Sequence, residues 1–190
     1  MKQLIVLILL LFTGLTAKAQ YSVAIFDPAG RALSETTKTL IVGEISRIVM
    51  NNNRFILVER EMINHVLREH NFQAVYTDPD AAVAAGRMIG ADYVCIIKVV
   101  DESGQYFIEC RFVDVETAQV VVYGMGMATS RSITDIRLGA REAAVGLASG
   151  ETARAIRNEV SERKKRESSN ARESSRLITE DIKYSKKKNK

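Results

Sequence analysis

From residue 20 onward the apolar positions switch between two periods. Tyr21 to Phe26 (YSVAIF) is a short, β-branched apolar run, as expected of a buried strand, and the turn residues Asp27-Pro28-Ala29-Gly30 close it. Leu33, Thr37, Leu40, Ile41, Ile45, Ile48 and Val49 then recur at about 3.6-residue spacing and predict a helix, with Ser34 as its N-cap and Asn51-Asn52-Asn53 as its stop. Phe55 to Val58 reads as a second strand. Met62, Ile63, Val66, Leu67 and His70 form one helical face, which puts His70 on the apolar side and His65 at the surface. A third helix starts at Asp78 with Pro79 in its first position, runs through Ala-rich sequence to Ile89, and stops at Gly90. Tyr93 to Val100 and Gln105 to Asp114 predict a hairpin, in which Ile108, Cys110 and Phe112 face the core while Glu109 and Arg111 face solvent. Residues 115–118 turn the chain into a last strand ending near Ala128. Helical, Ala/Gly-rich sequence follows from Ile133 to about Asn158. The predicted order, β-α-β-α-α-β-β-β-α, is that of an α/β layered sandwich with a mixed sheet of about five strands.

Two segments lie outside this pattern. Residues 1–19 begin with Met1-Lys2, continue as an apolar run from Leu4 to Leu15, and end in Ala17-Lys18-Ala19, the form of a cleavable signal peptide. No Cys stands at that site to accept a lipid, so a periplasmic location is expected, either soluble or peripheral at the outer membrane. Residues 131–160 are expected to be a helix packed on the domain. Residues 161–190 are strongly polar and are expected to be a disordered tail.

Charge divides the same way. Residues 20–160 carry 14 Lys/Arg against 18 Asp/Glu, whereas residues 161–190 carry 11 against 5. The basic balance therefore belongs to the tail and does not argue for a nucleic-acid partner. Arg163, Lys164, Lys165, Arg166, Lys186, Lys187 and Lys188 are the candidates for attachment to an anionic membrane surface, a wall polymer or an acidic partner, and that attachment should weaken with salt.

The search for chemistry yields little. His65 and His70 are five apart and share no helical face, and the two cysteines lack zinc-site spacing. No nucleophile elbow or phosphate loop is present. Gly124 and Gly126 fall within an expected antiparallel strand, where they suit a bulge or close backbone packing better than a dinucleotide. If the hairpin loop spans residues 101–104, Val100 pairs with Gln105 and Cys95 faces Cys110. A disulfide is awkward in that arrangement, so free thiols are favoured while the disulfide stays open. No catalytic residue, metal or cofactor is expected.

Arg54-Phe55 with Val58-Glu59-Arg60, Gly86 with Ile89-Gly90-Ala91-Asp92, and Asp114-Val115-Glu116-Thr117 together resemble the CsgG-type curli-assembly family. The core over residues 20–130 is also similar to the N-terminal domain of TolB and to the periplasmic lipoprotein activators of penicillin-binding proteins. Glu59, Arg60, Gly90, Asp92, Asp114 and Thr117 read as caps and turn residues within those motifs. The resemblance implies a non-enzymatic envelope domain that binds other envelope proteins, first in secretion or outer-membrane assembly. Activation of a peptidoglycan synthase and an oligomeric secretion-channel subunit are the alternatives. The long amphipathic hairpins of the channel-forming members have no counterpart here.

Overall fold

The computed structural model describes residues 20–30, 33–70, 72–76, 78–148 and 150–188, so the expected signal peptide lies outside the described residues. Five strands form one mixed sheet: β1 (Tyr21–Ile25), β2 (Phe55–Leu57), β3 (Tyr93–Glu102), β4 (Gln105–Asp114) and β5 (Val120–Ala128). Their order across the sheet is β2-β1-β3-β4-β5. β1 runs parallel to β2 and β3, and the β3-β4-β5 meander is antiparallel. The helices are α1 (Glu35–Met50), α2 (Arg60–Glu69), α3 (Pro79–Ile89), α4 (Ile133–Ala143) and α5 (Gly150–Lys188), with 3₁₀ turns at Gln73–Tyr76 and Val145–Leu147. The layered α/β sandwich expected from the sequence is the fold observed.

Local signals place most helix ends. Ser34 Oγ accepts the Thr37 N–H at 3.1 Å, and Asp78 accepts the Asp80 N–H at 3.0 Å, each satisfying a donor the helix leaves free. Gly90 ends α3 in the left-handed region at φ 75°. On one sheet face, Ile41, Ile45 and Ile48 of α1 and Ile136 and Leu138 of α4 pack with Ile97, Ile108 and Phe112. On the other face, α2 and α3 bury Ile63, Val83 and Ile89 with Ala24, Phe26, Val94, Ile96 and Val113. β3 therefore contributes to both cores, which is why Val94 to Ile97 reads as an unbroken apolar run.

Four expectations need correction. The hairpin turn is Ser103 and Gly104 alone, both at positive φ (53° and 84°), as a two-residue turn demands. Glu102 thus pairs with Gln105, and Cys95 pairs with Phe112 instead of Cys110. The two sulfurs lie diagonally, 3.5 Å apart, as buried free thiols. His70 is exposed at the end of α2, because the helix terminates there and its ring leans towards Phe72. The helix expected over residues 133–158 is two helices, interrupted by the 3₁₀ turn at Val145–Leu147. Finally, residues 161–188 continue α5 as a polar helix where disorder was expected. Local pairs such as Lys165–Glu162 at 2.8 Å support this helix, together with contacts of Arg163 and Lys164 to Glu142.

Gly124 and Gly126 are where β5 meets α4. A Cβ on Gly126 would stand 2.0 Å from the Gly139 carbonyl oxygen, and one on Gly124 would stand 2.0 Å from that of Ala143. The glycines let a helix backbone lie directly on a strand, the close packing that the sequence favoured over a cofactor loop.

Candidate functional site

α2 and α3 cover only part of their side of the sheet. Their core includes β1, the first half of β3 and the end of β4, and among the described residues no helix covers the remainder of that face. Cross-strand register arranges it in rows: Val100–Phe107–Met127, then Lys98–Glu109–Met125, then Arg111–Tyr123, then Val113–Val120. Val100, Val120, Tyr123 and Met125 are each roughly half exposed. Large apolar side chains left in water in adjacent rows mark a candidate contact surface, and they belong to neither core. The Arg111 guanidinium lies 3.0 Å from Glu109 within this patch.

The same face ends in β5, an edge strand, and that edge is guarded at one place. The Met127 N–H donates to Glu142 at 3.3 Å, and the Met127 carbonyl accepts from Arg163 at 2.9 Å. Outward-pointing groups recur every second residue along an antiparallel edge, so those of Tyr123 and Met125 share this direction. Among the described residues no side chain caps them.

The opposite face is locked by an ionic cluster. Glu44 of α1 is 5% exposed and is hydrogen-bonded by Arg137 Nε, by Arg141 Nε at 3.0 Å and by Arg47 Nη2 at 2.9 Å. Burial alone would push the Glu44 carboxyl up, but the three guanidinium groups outweigh it and hold the pKa at about 2. Arg141 also reaches Glu159 at 2.9 Å, which ties α5 into the cluster. Sequence reading did not single out this cluster, because Glu44 lies 93 and 97 residues from Arg137 and Arg141 along the chain.

The motif residues are distributed along strand and helix ends. Asp92 Oδ2 accepts from the Ser22 N–H (2.7 Å) and hydroxyl (2.9 Å), joining the starts of β1 and β3. Asp114 accepts from the Thr117 N–H at 2.8 Å and hydroxyl at 3.0 Å, and the backbone bond from Thr117 is the main cause of its lowered pKa. Arg60 donates to the Ile25 carbonyl at 3.0 Å and pairs with Asp27. Glu59 precedes α2 without a side-chain cap bond. Gly90, Asp92 and Asp114 line one cleft of about 480 Å³, whereas Glu59 and Arg60 line another, so the six motif residues are not a single site.

The basic tail residues whose side chains are described make separate contacts. Arg163 is 11% exposed and serves as the β5 edge cap. Lys164 approaches Glu142 at 3.4 Å and Lys165 pairs with Glu162 at 2.8 Å, while Arg166 is exposed. The side chains of Lys186, Lys187 and Lys188 lie outside the described residues. Among the described residues no group of three potential ligands gathers for a metal, and no helix is long and apolar enough to cross a membrane.

No family profile and no curated protein matches this chain. Among solved structures it is similar to the LpoB C-terminal domain from Escherichia coli, at 16% identity and TM-score 0.48, covering 65% of this chain and 93% of that one. It is also similar to lipoprotein GNA1162 from Neisseria meningitidis (12% identity, TM-score 0.45, 56% and 78% covered) and to TolB from Acinetobacter baumannii (14%, TM-score 0.39, 66% and 27%). At identities this low and TM-scores below 0.5, these likenesses carry no argument about this chain. The curli-assembly part of the sequence resemblance gains no support from these structures.

Proposed function

We propose that this chain is a non-enzymatic cell-envelope protein that docks a partner protein on the bare half of its sheet, and that the partner is a peptidoglycan synthase whose activity it regulates. The observation that carries the docking is the row of exposed Val100, Tyr123 and Met125 around Lys98, Glu109 and Arg111, beside an edge strand open at Tyr123 and Met125. The choice of synthase rests on the sequence resemblance to the activators of penicillin-binding proteins. The structure weighs against a pore subunit. Ser103 and Gly104 join β3 to β4, and residues 115–119 join β4 to β5, so neither connection supplies the hairpins a membrane barrel requires. Those connections bear on the channel-subunit reading only.

A photo-crosslinking side chain at Tyr123, compared with one at Met50, tests the proposal in intact cells. Met50 is 66% exposed at the end of α1, away from the bare face. Capture of a peptidoglycan synthase from position 123 and not from position 50 is expected. Capture of secretion-channel components alone, or of the same proteins from both positions, would overturn it.

A further inference from the structure

The strand order creates a second feature. From β1 the chain crosses one face through α1 to β2, then returns over the other face through α2 and α3 to β3. Connections diverge at the carboxyl end of β1, the place where open α/β sheets leave a crevice. Here the residues after β1 lie along β3: the Ala29 N–H donates to the Ile97 carbonyl at 2.8 Å, and the Val99 N–H donates to the Ala29 carbonyl at 2.7 Å. Beside this join is a cleft of about 810 Å³, lined by Pro28, Lys38, Tyr76, Lys98, Val100 and Arg111 among others. That is the size of a ligand cleft and far larger than a single small ion needs.

Two cationic side chains of this cleft differ in how they are engaged: Arg111 is ion-paired with Glu109, and Lys98 has no charged partner among the described residues. Arg111 Nε is buried and makes no hydrogen bond; Glu109 stands 3.0 Å away but off the N–H line. With Nε out of solvent's reach, a ligand in the cleft meets only the exposed part of this side chain, about a quarter of it. Lys98 forms no ion pair among the described residues, because Glu109 opposite it is already engaged by Arg111. The other carboxylates near the rim are also taken: Glu35 by Lys38 at 2.8 Å, Asp101 by Arg131 at 2.6 Å, and Asp27 by Arg60. The Tyr76 hydroxyl is kept neutral, since burial first and Asp27 second push its pKa up. Lys98, Arg111 and Tyr76 therefore share a cleft with two groups already ion-paired, Lys38 to Glu35 and Asp101 to Arg131, and with an apolar stretch at Pro28, Ala29 and Val100.

We propose that this cleft recognises a carboxylate carried by an acidic peptide segment, with Lys98 and Arg111 as its charged partners and Tyr76 as a neutral donor. Charge-assisted bonds from a planar guanidinium suit a carboxylate. The apolar wall suits an organic body attached to it, which inorganic phosphate lacks. This rests on the docking reading above for the source of the peptide, because Lys98, Val100 and Arg111 belong to both the cleft and the bare face.

The test needs no partner protein. The ¹⁵N-labelled mature chain is titrated with acetyl-Val-Glu-Val-amide, with its glutamine counterpart and with inorganic phosphate. Saturable shifts at the amides of Gly30, residues 98–100 and Arg111 are expected with the glutamate peptide. The glutamine peptide and the Lys98→Glu variant should each bind at least about tenfold more weakly, as loss of a charge-assisted bond implies. Arg111→Lys provides a second variant, expected to weaken binding while keeping the charge. Shifts confined to α5, equal binding of both peptides, or phosphate binding as strongly as the glutamate peptide would each overturn the proposal. If titration fails while capture at Tyr123 succeeds, the cleft assignment falls and the docking surface stands; the reverse result removes the surface and keeps the cleft.

Discussion

Replacing Gly126 with alanine should be among the most damaging single-methyl additions in this domain. Its Cβ would lie 2.0 Å from the Gly139 carbonyl oxygen, 2.7 Å from the Ala143 nitrogen and 2.9 Å from the Glu142 Cβ. The two nearest atoms are backbone, so no rotamer change relieves the clash. Ordinary contact begins near 3.4 Å, so α4 must retreat by about 1.4 Å. That helix buries Ile136, Leu138, Ala140 and Ala143 against the sheet and carries Arg137 and Arg141 to Glu44. A radial gap of roughly 0.5–1 Å already forfeits a quarter to a half of a dispersion contact, so the expected loss is about 3–5 kcal/mol, above the usual range for overpacking. The unfolding midpoint should fall by roughly 10 °C for a domain of this size. Urea and thermal unfolding followed by tyrosine fluorescence would measure it. Gly43→Ala is the control: it is exposed in α1 with nothing within 4 Å of its Cβ. It should stabilise by up to about 1 kcal/mol through helix propensity. A Gly126→Ala protein within about 1 kcal/mol of the parent would refute the close-packing argument.

Other perturbations probe the charges and the edge. Glu44 has a folded pKa of about 2 against an ordinary 4.5, so its stabilisation is complete above the unfolded value and disappears as pH falls towards the folded one. Between pH of about 5 and about 2 the parent protein should lose roughly 3 kcal/mol more than Glu44→Gln; parallel stability–pH curves would contradict the ionic cluster. Arg163→Ala should cost about 1–3 kcal/mol and promote concentration-dependent self-association at β5, because it uncaps the Met127 carbonyl. Sedimentation and urea titration would read both effects, and unchanged values in the two would remove Arg163 from the edge-capping role. Both cysteines are buried out of reagent's reach, and burial also pushes the Cys95 thiol well up, so neither should react with maleimide until the chain unfolds. Labelling of the native protein at the denatured rate would count against the buried pair.

Legibility in the sequence followed the range of the interaction. Asp78, Pro79 and Gly90 announced both ends of α3, because caps act within a few residues of themselves. Period-two alternation correctly turned Glu109 and Arg111 away from the Ile108–Phe112 core. It did not show that no helix covers the face they occupy. The cysteine register was out by two residues, since strand pairing depends on turn geometry as well as on the apolar pattern. Arg163 read as one basic residue in a charged run, yet Met127 and Glu142 make it a cap.

By itself the sequence determined the layered α/β class and the helix ends at Ser34, Asp78 and Gly90, because these follow from local spacing and side-chain chemistry. The tertiary structure alone decided that half of one sheet face stays bare, that β5 is an edge sealed at Met127, and that Lys98, Tyr76 and Arg111 share one cleft. Each of these depends on which elements cover which strands, and that is settled by packing between residues distant in the chain.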